Sequence, residues 1–117
     1  LAAAPEGFEV YSGNDVSFEP FVAAGGIGVI SGVSSVFPEP FIAMRDALRA
    51  GDDARVAKLR PLICRLVDVV RAGGIGHLKA GLDLRGVPGG RVRSAVEAVE
   101  PHEREAIARA LEEVRGE

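Results

Sequence analysis

The chain has 117 residues and a mass of 12.2 kDa, room for one domain and not for two. Leu, Ile, Val and Phe contribute 9, 6, 15 and 5 residues, 35 in all, a share too high for a disordered chain. The net charge of −3 is uneven: residues 1–44 hold five acids and no Lys or Arg, whereas residues 45–117 hold all 14 basic residues against 12 acids. Neither half has the concentrated positive field that nucleic acid needs, and six aromatic residues are too few for base-stacking platforms. No apolar run approaches the ~20 residues that span a membrane, and no basic segment with an apolar core opens the chain. The single cysteine, Cys64, excludes an intramolecular disulfide and a cysteine-based zinc site. It fits a reducing, cytoplasmic setting. Leu1 stands where an initiating Met would, so the expectation is a chain processed or cut from something longer.

The first 37 residues read as strand, helix, strand. Phe8 to Ser12 is a short β-rich run that ends in the turn cluster Gly13-Asn14-Asp15, which also offers a helix cap. Val16 to Ala24 reads as a short helix closed by Gly25-Gly26, with Pro20 tolerated near its first turn. Ile27 to Val33 reads as a second strand, apolar on both faces like a buried parallel strand. The intervening residues 13–26 suit a helical crossover and are far too long for a hairpin. The unit is therefore βαβ.

From Pro38 the signal is helical. Phe41, Met44, Ala47 and Leu48 fall at helical spacing and stop at Gly51. Asp52 or Asp53 caps a second helix with the stripe Val56, Leu59, Ile63, Leu66, Val67 and Val70. Pro61 is expected to kink or divide that helix, and Gly73-Gly74 to end it. Leu78 to Leu84 reads as a short helix closed by Gly86, Val87 to Val99 as irregular, and Pro101 opens a last helix with Ile107, Leu111 and Val114 on one face. The division is thus residues 1–37, a βαβ portion, and residues 38–117, a helical region.

Two parallel strands do not make a stable sheet, and open edges expose unpaired backbone groups. The βαβ unit therefore calls for further strands, from a missing part of the chain or from another subunit.

Few residues suggest chemistry. GGIG occurs at 25–28 and again at 73–76, but neither copy extends to a dinucleotide or Walker-type fingerprint. Cys64, among Leu62, Ile63, Leu66 and Val67, reads as a buried structural thiol. His77 and His102 read as surface or loop residues without metal-ligand spacing; no metal or cofactor is expected. Lys58 reads as solvated and Lys79 as helix surface, although a Schiff-base lysine must be desolvated. The informative cluster is Ser12-Gly13-Asn14-Asp15 with Ile30-Ser31-Gly32, at the carboxyl ends of adjacent parallel strands, where α/β folds build ligand sites. Spacing alone leaves ligand binding and helix capping equally open.

The run S-G-N-D at 12–15, G-G-I-G-V-I-S at 25–31, A-G-D at 50–52 and H-L-K-A-G-L-D-L-R-G-V-P-G-G-R-V-R at 77–93 resembles the dihydrodipicolinate synthase / N-acetylneuraminate lyase family. The resemblance spans nearly the whole chain, but only about the last two-fifths of a family member. It implies an α/β fold: the C-terminal part of a (β/α)₈ TIM barrel, one parallel βαβ unit forming strands 7 and 8, followed by a C-terminal helical bundle. It further implies Schiff-base chemistry on pyruvate or a related 2-keto acid, with the catalytic lysine upstream of Leu1. No catalytic residue then lies in this chain, which alone would be inactive. The substrate-binding residues carried over are Gly13, lining the pocket, and Ile30, whose carbonyl faces the reactive lysine, with Asn14, Asp15 and Ser31 on the same rim. Val16 replaces an acid of the sialic-acid lyases and Ser35 an asparagine of many dihydrodipicolinate synthases, so the resemblance leaves the second substrate open. The implied partners are a small-molecule 2-keto acid, the rest of the barrel or another subunit, and further copies in a homo-oligomer. The competing expectation is a non-catalytic module that self-associates through the stripes Phe41/Met44/Leu48 and Leu59/Ile63/Leu66.

Overall fold

The computed structural model describes residues 1–93 and 98–116 of the chain. Two short strands, β1 (Tyr11–Ser12) and β2 (Gly28–Val29), pair in parallel with Tyr11 opposite Gly28 and Ser12 opposite Val29. Backbone bonds flank that register: Ile27 N–H donates to Val10 O at 3.0 Å and Ile30 N–H to Ser12 O at 2.8 Å. Between them lie a 3₁₀ turn, Asp15–Ser17, and helix α1 (Phe18–Ala23). The βαβ connection expected from the sequence is present. The strands are shorter than expected because each bonds only to the other, and nothing orders Phe8 or residues beyond Val29 as strand.

Val33 is not strand. It opens a four-residue helix, α2 (Val33–Val36), which the sequence reading misses. Ser31 holds its start: the Oγ accepts from Ser34 N–H at 2.9 Å, in the manner of a helix cap.

Helix α3 (Pro38–Ala50) begins on a proline, whose fixed φ suits a first turn. It ends at Gly51, whose φ of 68° is a left-handed conformation that glycine adopts without a side-chain clash. Asp52 then caps α4 (Asp53–Leu84) by accepting from Arg55 N–H at 2.9 Å.

Pro61 does not divide α4. The proline and Ala57, whose carbonyl loses its helical donor, are both exposed, so water can serve that carbonyl. The break comes at Gly74 (φ 54°, ψ −127°), where Gly73-Gly74 is expected to end the helix, and a second helical run follows it to Leu84. The second GGIG copy therefore straddles a break between helical runs, and the first leads into a strand. After Gly86, residues 87–93 and 98–100 have no regular structure; the remainder of the Val87–Val99 expectation lies outside the described residues. Helix α5 (Pro101–Arg115) opens with a capping box in which Glu100 N–H donates to Glu103 Oε2 at 2.7 Å.

One hydrophobic core runs from Phe18 to Val114 and joins both expected parts of the chain. Phe18 and Phe41, one from each part, meet with ring centroids 5.6 Å apart. The core consumes most of both apolar stripes: Phe41, Met44, Leu59, Ile63 and Leu66 are all buried. The stripes that the competing expectation assigns to self-association are thus largely used within this chain. Three further expectations need correction. His77 is buried, only 3% exposed, because its ring fills the space over Gly73. Cys64 is free but half-buried rather than enclosed. Leu48 lies at the margin of the core. Among the described residues no helix is long and apolar enough to cross a membrane.

Candidate functional site

The parallel register brings the two halves of the candidate cluster together. β1 runs out at Ser12 and β2 at Val29, so Gly13 and Ile30 follow at the same end of the sheet, tied by the Ile30–Ser12 bond. Asn14 and Asp15 follow Gly13 in the chain, and Ser31 follows Ile30. Gly13 is exposed, with no heavy atom within 4 Å of where a side chain would start. Ile30 is 73% exposed, a large apolar side chain standing in solvent.

The polar members also do local work. Asn14 Oδ1 accepts from Val16 N–H at 3.0 Å and caps the 3₁₀ turn. The Ser31 carbonyl accepts from the hydroxyls of Ser34 and Ser35, both at 3.3 Å. The capping alternative is thus realised for Asn14 and Ser31. Asp15 differs: its Oδ1 is buried and unpartnered, the kind of unsatisfied group that a folded chain retains at a cost.

Lys58 is exposed on α4, and Lys79 Nζ donates to Arg91 O at 2.7 Å. Among the described residues no group of three or more His, Cys, Asp or Glu could hold a metal ion. An apolar cavity of about 260 Å³ lies between the sheet and α3, lined among others by Tyr11, Ile27, Phe41 and Ile42. None of the five candidate residues borders it.

What the sequence does not disclose is the buttressing of the rim. Arg60 holds Glu19 of α1 through two bonds, Nε to Oε2 at 2.5 Å and Nη2 to Oε1 at 2.6 Å. That bond is the main reason the Glu19 carboxyl lies below the usual range, against the opposing effect of its burial. Arg85 secures α2, donating to Val36 O at 2.9 Å while gripping the Glu39 carboxylate. Leu78 packs beneath Gly32, beside Ser31. These partners stand 41 to 49 residues apart, beyond any local periodicity.

An open rim at the carboxyl ends of parallel strands, backed by helices, is where α/β enzymes place their ligands. Residues 1–114 match the model of the dihydrodipicolinate synthetase family, and the chain belongs to that family. It is 39% identical over 118 aligned residues to a 4-hydroxy-tetrahydrodipicolinate synthase of Symbiobacterium thermophilum, covering 97% of this chain and 39% of the relative. It is 38% identical to the enzyme of the same name from Moorella thermoacetica, with the same coverage. The crystal structure of a dihydrodipicolinate synthase from Bacillus anthracis superimposes with a TM-score of 0.85 at 27% identity, over 95% of this chain and 38% of that one. The chain therefore spans about two-fifths of the length of the relatives it matches.

Proposed function

We propose that this chain is the C-terminal part of a Schiff-base-forming synthase or lyase that acts on pyruvate or a related 2-keto acid. In this reading β1 and β2 are strands 7 and 8 of a (β/α)₈ barrel, and α3 to α5 supply the last barrel helix and a helical bundle beside it. Gly13 lines the substrate pocket and the Ile30 carbonyl faces the reactive lysine. Asn14, Asp15 and Ser31 present polar groups to the second substrate. The lysine itself belongs to a segment outside these 117 residues, so the chain alone is inactive.

The parallel register that sets Gly13 beside Ile30 carries this reading. Exposure supports it: Phe8 is 66% and Ile30 73% accessible, as apolar residues would be if the neighbouring part of a barrel normally covered them. The partners are then a 2-keto acid, the remaining strands on this or another polypeptide, and further copies in a homo-oligomer, acting in the cytoplasm.

The test is an intact-mass spectrum of the purified protein after pyruvate and borohydride, which reduces any Schiff base to a stable adduct. An adduct on a co-purifying polypeptide supports the assignment. An adduct on this chain would place the reactive amine at Lys58 or Lys79 and overturn it.

A further inference from the structure

Gly32 follows the rim residues Ile30 and Ser31, and its backbone does not require a glycine. Its φ of −70° and ψ of −39° are right-handed helical values that any residue adopts. What Gly32 supplies is room: a Cβ there would stand 2.9 Å from Leu78 Cδ1. Leu78 belongs to the helical run that follows the Gly74 break and packs against the hydrophobic core. Gly81 and Arg85 come three and seven residues after it, hence on the same helix face. A Cβ at Gly81 would stand 2.5 Å from Val36 Cγ1, and Arg85 Nη1 donates to Val36 O at 2.9 Å. One face of this run therefore cradles the chain from Gly32 to Val36.

The cradle reaches the rim through the backbone. Ser31 Oγ accepts from Ser34 N–H at 2.9 Å, and Ser31 O accepts from the hydroxyls of Ser34 and Ser35. Ser31 is thereby tied to α2. Ile30 is tied to the sheet, its N–H donating to Ser12 O at 2.8 Å. The Ile30 carbonyl lies in the peptide that joins these two anchors. A planar peptide carries its oxygen rigidly, so the direction of that carbonyl follows from where α2 sits relative to β1 and β2.

We propose that Leu78 is a positioning residue: through Gly32 it sets the direction of the Ile30 carbonyl, and with it the rate of imine formation. The inference rests on the reading of Ile30 given above, in which that carbonyl faces the reactive lysine. In the step concerned, the neutral lysine amine adds to the keto carbon of pyruvate. Both amine protons pass to the keto oxygen, which leaves as water, and a carbon–nitrogen double bond remains. A carbonyl aimed at the amine accepts its N–H and orients the nitrogen lone pair. Misplacing such a group by about 1 Å costs on the order of 100-fold in rate. Leu78 acts through the backbone and not on the reacting atoms.

The experiment measures the assembled enzyme, with imine formation at saturating pyruvate followed by borohydride trapping and intact mass. Leu78→Ala should slow imine formation about tenfold while the apparent KM for pyruvate stays within about twofold. Leu78→Met, which refills most of the space, should restore the rate. Val114→Ala is the control for stability, since Val114 sits on α5 among Pro40, Ala43, Leu59 and Leu62. It should lower the thermal midpoint and leave the rate unchanged. Gly32→Ala crowds Leu78 and should also slow the reaction, whereas Gly32→Ala combined with Leu78→Ala should be faster than either single variant. A Leu78→Ala rate equal to the parent overturns the proposal. So does an equal fall in Val114→Ala, or a double variant no faster than the single ones. A parent enzyme that forms no adduct at all overturns the Schiff-base reading, and this inference falls with it.

Discussion

Arg85 donates to the Val36 carbonyl at 2.9 Å with the same guanidinium that grips Glu39. One side chain at the end of α4 thereby fixes the end of α2 and the start of α3. Val36 is fully buried, so removing the donor leaves an enclosed carbonyl unpaired. Arg85→Met should cost about 1–2 kcal/mol in urea unfolding. Glu39→Gln should cost less than about 1 kcal/mol, because that pair is partly exposed and screened. The pH dependence has a defined sign. Burial pushes the Glu39 carboxyl up, but the bonds from Arg85 and the backbone outweigh it and leave it lowered. Its contribution is therefore present above the ordinary glutamate range and lost as pH falls through its lowered value. Arg85→Met should flatten that acid limb.

Pro61 sits nine residues into α4 without breaking it. The helix tolerates a missing N–H donor there and gains nothing visible in return. Pro61→Ala should therefore stabilise the chain by about 1–3 kcal/mol, read as a higher urea midpoint with unchanged slope. A lower midpoint would mean that the proline serves a packing role at this exposed position.

The helices are legible in the sequence where burial repeats every three to four residues, as in Val56, Leu59, Ile63, Leu66, Val67 and Val70. α2 is not, because Val33–Val36 is too short to show a period and continues an apolar strand pattern. The position of the α4 break is only half legible. Gly73-Gly74 signals it, but Pro61 gives an equally strong local signal that solvent at Ala57 neutralises. His77 reads as a surface residue because its burial depends on an absent side chain at Gly73 and on α5, both invisible to local spacing. At the rim, the βαβ pattern suffices to bring Gly13 and Ile30 together. The double use of Asn14 and Ser31 as caps rests on backbone geometry that residue types leave open.

Gly81 and Val36 meet across the α2–α4 contact at the limit of close packing. A Cβ on Gly81 would stand 2.5 Å from Val36 Cγ1. Alanine favours a helix over glycine by roughly 1 kcal/mol, but the clash should dominate, making Gly81→Ala destabilising by about 1–3 kcal/mol. Val36→Ala opens the missing space while leaving a cavity of its own. The double variant should be markedly more stable than the sum of the two losses, a coupling that a double-mutant cycle measures directly. Additive losses would show that the backbone shifts to relieve the contact.

Asp15 brings stability and the proposed function into opposition. Its Oδ1 is buried without a partner, beside the rim formed by Gly13 and Ile30. A side chain kept only for the fold would not carry that cost, since Asn14 already caps the turn. Asp15→Ala removes the unsatisfied oxygen and forfeits a small favourable interaction at the first turn. The net expectation is a gain of about 1 kcal/mol in unfolding free energy. If Asp15 faces the second substrate as proposed, the same variant in the assembled enzyme should still form the pyruvate adduct under borohydride but turn over more slowly with the second substrate. A gain in stability with turnover unchanged would remove Asp15 from the proposed substrate site.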